Sequence, residues 1–202
     1  TTVEAKTGYG LDTKTEMKLL DAATKAASQS AVEVVNTFLG AHAVPEEYRD
    51  RRSAYVRLVA EEMIPQVARE GLAEFCDVFC DEGAFTPRET ARILRRARSA
   101  GLRPKLHADE FTDTGGAALA ARLGAISADH LLRVSDAGVR ALARRAVIAV
   151  LLPGTALTLG VPAYAPARRL IAAGVPVALA TDFNPGSCFT ESMQIVLALA
   201  CM

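Results

Sequence analysis

Apolar, β-branched runs alternate with helix-patterned stretches along most of this chain, and that alternation restricts its fold more than any other feature. Strand-like runs fall at residues 3–6, 32–40, 73–79, 103–108, 125–130, 146–152 and 175–180. Helical spacing of apolar side chains marks 13–27 (Met17, Leu20, Ala23, Ala27) and 55–69 (Val56, Val59, Met63, Ile64, Val67). Further helices are expected at 86–99, 116–123, 135–144 and 166–173, with a last one starting near Thr190. Asp12, Thr86 and Ser135 stand where N-caps belong, and Pro87 suits a first helical turn. Pro65 must kink or restart the helix that contains it. The run at 146–152 is unbroken and apolar, so it is expected to be a strand buried on both faces.

Seven strands, most of them followed by a helix, mean an α/β chain with a parallel sheet. Two closed arrangements satisfy that pattern, a doubly wound sheet and a (β/α)8 barrel. No G-x-G-x-x-G follows a first strand and no Walker loop occurs, so nucleotide-binding versions lose ground. A complete barrel takes about 250 residues. Seven strands in 202 residues fit most of a barrel whose first unit lies upstream. The chain opens on Thr1-Thr2-Val3 without an initiator Met and closes in a helix cut in mid-run, so a segment of a longer protein is expected.

Charge is balanced, 23 basic residues against 23 acidic, which argues against a nucleic-acid or membrane-surface partner. No apolar run reaches the ~18 residues of a membrane span. The four cysteines (Cys76, Cys80, Cys188, Cys201) form no C-x-x-C pair. They fit reduced cytoplasmic thiols better than a disulfide framework or a zinc knuckle.

Polar residues collect just after the strands, the edge at which both candidate folds bind ligands. The three histidines, His42, His107 and His130, each end an apolar run. His107 leads into Asp109 and Glu110, which makes it a candidate metal ligand with an acid/base or substrate-binding carboxylate beside it. Asp182 follows an apolar strand and needs a partner there, a metal or a charged histidine. It also suits an N-cap or turn role ahead of Asn184-Pro185-Gly186. His130 is a candidate proton carrier or donor, or a strand-end histidine bonded to backbone. His42 could donate to a substrate carboxylate or sit in a surface loop. Tyr9, between two glycines, could reach into a pocket or pack as an ordinary aromatic. Cys80, Asp81 and Glu82 are assigned structure only. The clusters Arg49, Arg51, Arg52 and Arg95, Arg96, Arg98 are expected to be solvated helix faces.

Taken together, five stretches resemble the amidohydrolase superfamily of metal-dependent (β/α)8 hydrolases and, within it, the imidazolonepropionase family. They are Lys6-Thr7-Gly8-Tyr9-Gly10-Leu11, Phe38-Leu39-Gly40-Ala41-His42-Ala43-Val44-Pro45, His107-Ala108-Asp109-Glu110, Ser127-Ala128-Asp129-His130-Leu131 and Ala180-Thr181-Asp182-Phe183-Asn184-Pro185-Gly186-Ser187. The resemblance implies an incomplete barrel of the metal-dependent hydrolase type. Residues 1–202 would be part of one catalytic domain, from about its second strand to the helix after its eighth, with a small flanking β-domain outside the chain.

It further implies hydrolysis of the ring amide of 4-imidazolone-5-propanoate with one zinc or iron ion. His107 and Asp182 match two of the ion's ligands, and His130, Glu110 and Asp182 match catalytic positions. Tyr9, His42, Glu110, Asn184, Gly186 and Ser187 match substrate contacts. The family's His-x-His pair is absent from this sequence, so two ligands are expected outside it. A homodimer is the assembly the resemblance implies. Another cyclic amidase or an aminohydrolase of the superfamily stays open, as does a catalytically inert barrel fragment.

Overall fold

A computed structural model describes residues 2–202, which fall into two compact units, 2–106 and 107–202. In the first, strand β1 (Thr2–Lys6) pairs parallel with β2 (Glu33–Ala41), from Thr2 against Glu33 to Lys6 against Thr37. Strand β2 pairs parallel with β3 (Phe75–Cys80), and β3 with the short β4 (Arg103–Pro104). The β2–β3 register slips between Phe38 and Ala41. Gly40 lies inside that slip, where an added Cβ would stand 2.4 Å from the Phe38 ring.

Helix α1 (Thr13–Ser28) begins as expected at Asp12, whose side chain accepts from Thr15 N at 2.9 Å. The expected helix at 55–69 is a composite of α2 (Arg52–Leu58), a π turn (Val59–Met63) and α3 (Ile64–Glu70). Pro65 has no N–H to give and clashes with the carbonyl one turn back. Widening the turn so that Ile64 N bonds Val59 O lets the helix continue past it without stopping. Helix α4 (Pro87–Ser99) starts in a capping box, Thr86 with Glu89. Tyr55, Val59, Ile64, Phe38, Ile93 and Leu94 are fully buried in this unit, and the Tyr55 hydroxyl donates to Gly40 O at 2.7 Å. Burial above all pushes the Tyr55 phenol upward in pKa.

Arg52 departs from expectation. Its guanidinium forks onto Glu89 at 2.8 and 2.9 Å and also meets Ala84 O, so it ties the start of α2 to α4 instead of lying in solvent. The strands of this unit carry a run of charges as well. Lys6 binds the buried Asp77 at 2.7 Å, and Lys105 binds Glu4 at 2.6 Å.

The second unit repeats the same grammar. Strand β5 (Leu106–Ala108), which opens at the boundary, is followed by α5 (Gly116–Leu123), β6 (Ser127–His130) and α6 (Asp136–Arg145). Next come β7 (Ile148–Leu151), α7 (Pro153–Thr158), α8 (Ala167–Ala172), β8 (Val177–Leu179) and α9 (Met193–Ala200). The strand order is β5-β6-β7-β8, with parallel pairing of β6 to β7 and β7 to β8.

Helices α5 and α6 pack closely because Gly138 leaves room. A Cβ there would stand 3.0 Å from Ala117 Cβ. Strand β7 is not buried on both faces. Ala149 and Leu151 are buried while Ile148 and Val150 are only half-buried, so one face of its apolar run is partly open. Helix α7 was not among the helices expected from the sequence. Proline at the first helical position starts it.

Among the described residues no disulfide joins the cysteines, and no helix is long and apolar enough to cross a membrane.

Candidate active site

In the second unit the chemistry-bearing side chains follow the strands. His107 lies within β5 and is 8% exposed. Directly after the strand the chain turns through Asp109 at φ 52°, a left-handed conformation that side chains other than glycine adopt at a cost. What holds it there is the Asp109 carboxylate. It accepts from Gly116 N at 2.9 Å, Ala117 N at 3.0 Å, Thr114 N at 3.2 Å and the Thr114 hydroxyl at 3.3 Å. Burial pushes the Asp109 carboxyl above the usual range, and the hydrogen bonds from Ala117 and Gly116 oppose that without reversing it. Asp109 is therefore the clamp of the loop that enters α5. Its backbone oxygen also takes Arg133 N at 2.8 Å, while Ala108 O takes Leu131 N at 3.1 Å, which fixes the end of β5 to the chain after β6.

The clamp delivers Glu110 into the interior. Glu110 is 6% exposed, so it is not a solvated loop carboxylate. Its Oε1 stands 3.5 Å from Nδ1 of His130, which is itself buried at φ 72°. That separation exceeds the usual N–H···O range of about 2.7–3.2 Å, so the groups are adjacent without being locked together. The rings of His107 and His130 have centroids 5.3 Å apart. Three of the residues singled out from sequence thus meet in one buried cluster.

Asp129 was missed from sequence. It is buried, accepts from the Ser127 hydroxyl at 2.9 Å, and brings a carboxylate oxygen within 4.8 Å of a ring nitrogen of His107. Its signal was there to find, since a carboxylate inside a strand needs a partner as much as one at its end. Asp182, the carboxylate expected beside His107, is not part of that close grouping.

Asp182 follows β8 at φ 52°, and its Oδ2 accepts from the Thr155 hydroxyl at 2.6 Å, with Thr155 1% exposed on α7. The turn role offered to Asp182 belongs to Asn184. Its Oδ1 accepts from Gly186 N at 2.8 Å and Ser187 N at 2.9 Å, and its Nδ2 donates to Asp182 O at 2.7 Å. Helix α9 is capped by Ser192, not by Asp182. Asp182 is thereby left as a side chain aimed by a buried hydroxyl, and Asn184, Gly186 and Ser187 form one tight turn beyond it.

The first unit carries Tyr9 and His42. His42 Nδ1 lies 3.0 Å from Gly8 O. A carbonyl only accepts, so the proton sits on Nδ1 in the neutral ring. His42 is half-buried in the loop after β2 and is also flanked by Phe79, centroids 6.0 Å apart. Tyr9 is 58% exposed and sets its ring edge-on to His42 at 5.1 Å.

Comparison with known proteins gives first a class and then a family. No family model matches the chain. Among solved structures, guanine deaminase from C. acetobutylicum with bound guanine superposes with a TM-score of 0.73. The match covers 99% of this chain and 50% of that one at 14% identity. An adenosine deaminase from Xanthomonas campestris with bound zinc gives 0.64, over 90% of this chain and 44% of that one, at 20% identity. Such identities show fold alone, and the fold is an incomplete (β/α)8 barrel with amidohydrolase neighbours.

In sequence, the chain belongs to the imidazolonepropionase family. It is 60% identical over 202 residues to the imidazolonepropionase of Geobacillus thermodenitrificans and 56% identical to that of Shouchella clausii. The matches take in 100% of this chain but 47% and 45% of those proteins, so the chain spans about half the length of the curated relatives it matches.

Proposed function

We propose that the protein to which this chain belongs opens the ring amide of 4-imidazolone-5-propanoate by hydrolysis, giving N-formimidoyl-L-glutamate in the cytoplasmic degradation of histidine. The observation that carries this is identity of 60% over the whole chain with a protein named for that activity. The buried cluster of His107, Glu110 and His130 supports it, because it lies after parallel strands, where barrels of this type hold their substrates.

One zinc or iron ion is part of the proposal. A buried imidazole at His107, with a carboxylate oxygen of Asp129 within 4.8 Å of its ring nitrogen, offers nitrogen and oxygen donors that suit either metal, and the family resemblance adds Asp182. In this assignment His107 and Asp182 are ligands, and the family's two further histidines lie outside the chain. A bound ion supplies Lewis acidity and lowers the pKa of water to about 7.

The chain's own residues then divide the work. The Asp182 carboxylate takes a proton from the attacking water. Thr155 takes one lone pair of its Oδ2, and the carboxylate's remaining lone pairs serve the ion and that proton. As the water oxygen bonds to the ring carbonyl carbon, the His130 ring donates to the oxygen that becomes negative. Glu110 holds the ring N–H and relays a proton to the ring nitrogen as the C–N bond breaks. Tyr9, His42 and the turn Asn184, Gly186, Ser187 bind the rest of the substrate. One water is consumed and one amide bond is lost, so atoms balance.

The test uses His107→Ala and Asp182→Ala in the full-length protein, with metal content and turnover measured together. Both variants should lose most of their metal and at least about 100-fold in kcat. Wild-type activity in either would sink the assignment. The fold likeness to guanine deaminase makes guanine the control substrate. Ammonia release from guanine, with imidazolone propanoate left intact, would favour an aminohydrolase instead.

A further inference from the structure

We propose that Glu16 is a positioning residue, whose buried carboxylate shapes the loop that presents Tyr9 and His42 to the substrate. The inference rests on the proposed substrate role of those two residues. Glu16 sits in the first turn of α1 and is 0% exposed, yet it does not cap its own helix. Its carboxylate reaches back across the loop. Oε1 accepts from Gly10 N at 2.8 Å, Leu11 N at 3.0 Å and Gly8 N at 3.2 Å, and Oε2 from Gly8 N at 3.1 Å. Three backbone donors thus converge on one buried acid, the condition under which a carboxylate tolerates loss of water.

The loop needs this hold. Gly8 lies at φ 112° and Leu11 at φ 57°, and left-handed leucine is a strained state that persists only when its surroundings impose it. Space is closed on both sides. A Cβ on Gly8 would stand 2.8 Å from Leu39 O, and one on Gly10 would stand 2.9 Å from Glu16 N. While the N–H groups face Glu16, Gly8 O faces His42 Nδ1 at 3.0 Å and sets its tautomer, and the Tyr9 ring leans on that imidazole. A single carboxylate therefore fixes an exposed tyrosine and the protonation pattern of its histidine neighbour. Preorganisation of this kind lowers the ordering cost of binding and shows in KM before kcat.

The experiment compares Glu16→Gln and Glu16→Asp with wild type in the full-length protein. Glutamine puts an amide N–H among the loop's donors, and aspartate is one methylene too short to reach all of them. Hydrogen exchange is followed at residues 8–11, with the later turns of α1 as internal reference, and kcat and KM are measured with 4-imidazolone-5-propanoate. Exchange in the loop should accelerate about tenfold or more with α1 unchanged, and KM should rise about tenfold with kcat within about threefold. Unchanged loop exchange overturns the inference. So does loss of α1 protection in both variants, or a fall in kcat at constant KM. If the wild-type protein does not hydrolyse this substrate, the proposed activity fails by itself. The exchange comparison then decides for or against Glu16 as the loop's anchor.

Discussion

His130 Nδ1 and Glu110 Oε1 stand 3.5 Å apart inside the second unit, both almost wholly buried, with the His107 ring 5.3 Å from that of His130. The proposed mechanism sets both groups on one substrate ring, so the effects of losing them should be coupled. Glu110→Gln and His130→Gln should each lower kcat of the full-length protein by about 100-fold or more, with its thermal unfolding little changed. The double variant should lose far less than the product of the two single losses. Steady-state kinetics decides it, and strictly multiplicative losses would mean the two side chains work independently.

Thr155 carries a second expectation. Its hydroxyl is the donor that fixes Asp182 Oδ2, at 2.6 Å. Thr155→Val keeps the shape and removes the donor. Metal affinity or turnover should fall about 10- to 100-fold, as happens when a ligand's supporting hydrogen bond is lost. Metal titration alongside kcat checks this, and wild-type values for both would leave Thr155 as packing only.

Glu89 gives a pH signature remote from the site. Burial raises its pKa, but hydrogen bonds from Arg52 and Thr86 outweigh that, and the net value lies below the ordinary 4.5. A carboxylate depressed by folding contributes stability that is complete above the unfolded value and is lost as pH falls through the folded one. Glu89→Gln should therefore cost about 1 kcal/mol at neutral pH, chiefly from the partly exposed ion pair, because glutamine can keep the capping box. The gap to wild type should close below pH 4.5. Melting temperatures across pH measure it, and a gap independent of pH would contradict the assignment.

Association of the 202-residue chain by itself should also be visible. Ile171, Ile195 and Leu197 are exposed, and all three apolar residues of β8 are only half-buried. Strand edges and apolar surface of this sort recruit other chains. Sedimentation at several concentrations should show oligomers that grow with concentration. A sharp monomer at every concentration would count against it.

What the sequence disclosed was mostly local. Helix α5 was placed to the residue because Gly115 and Gly124 bracket it, both left-handed. Helix α4 announced itself through Thr86 and Pro87, and the structure adds Glu89, which completes a capping box with Thr86. Where distant partners decide, sequence reasoning fell short. The widened turn before Pro65, the ion pair of Arg52 and the partly open face of β7 depend on what packs alongside. The same divide runs through the site. His107, Glu110 and His130 stood out as strand-end residues, and the structure brings them together. Asp129 and Glu16 looked like ordinary acids, and Asp109 was noticed only as a neighbour of His107, because their donors and neighbours are set only by the folded loops around them.

Hydrolysis of 4-imidazolone-5-propanoate by the purified, metal-loaded full-length protein tests the central claim most directly, followed by loss of the imidazolone absorbance and by appearance of N-formimidoyl-L-glutamate. Turnover should be about 1–1000 per second, in the common range for enzymes. It should collapse on chelation and return when zinc or iron is restored. A protein that binds metal, keeps its fold and leaves the ring intact would contradict the account.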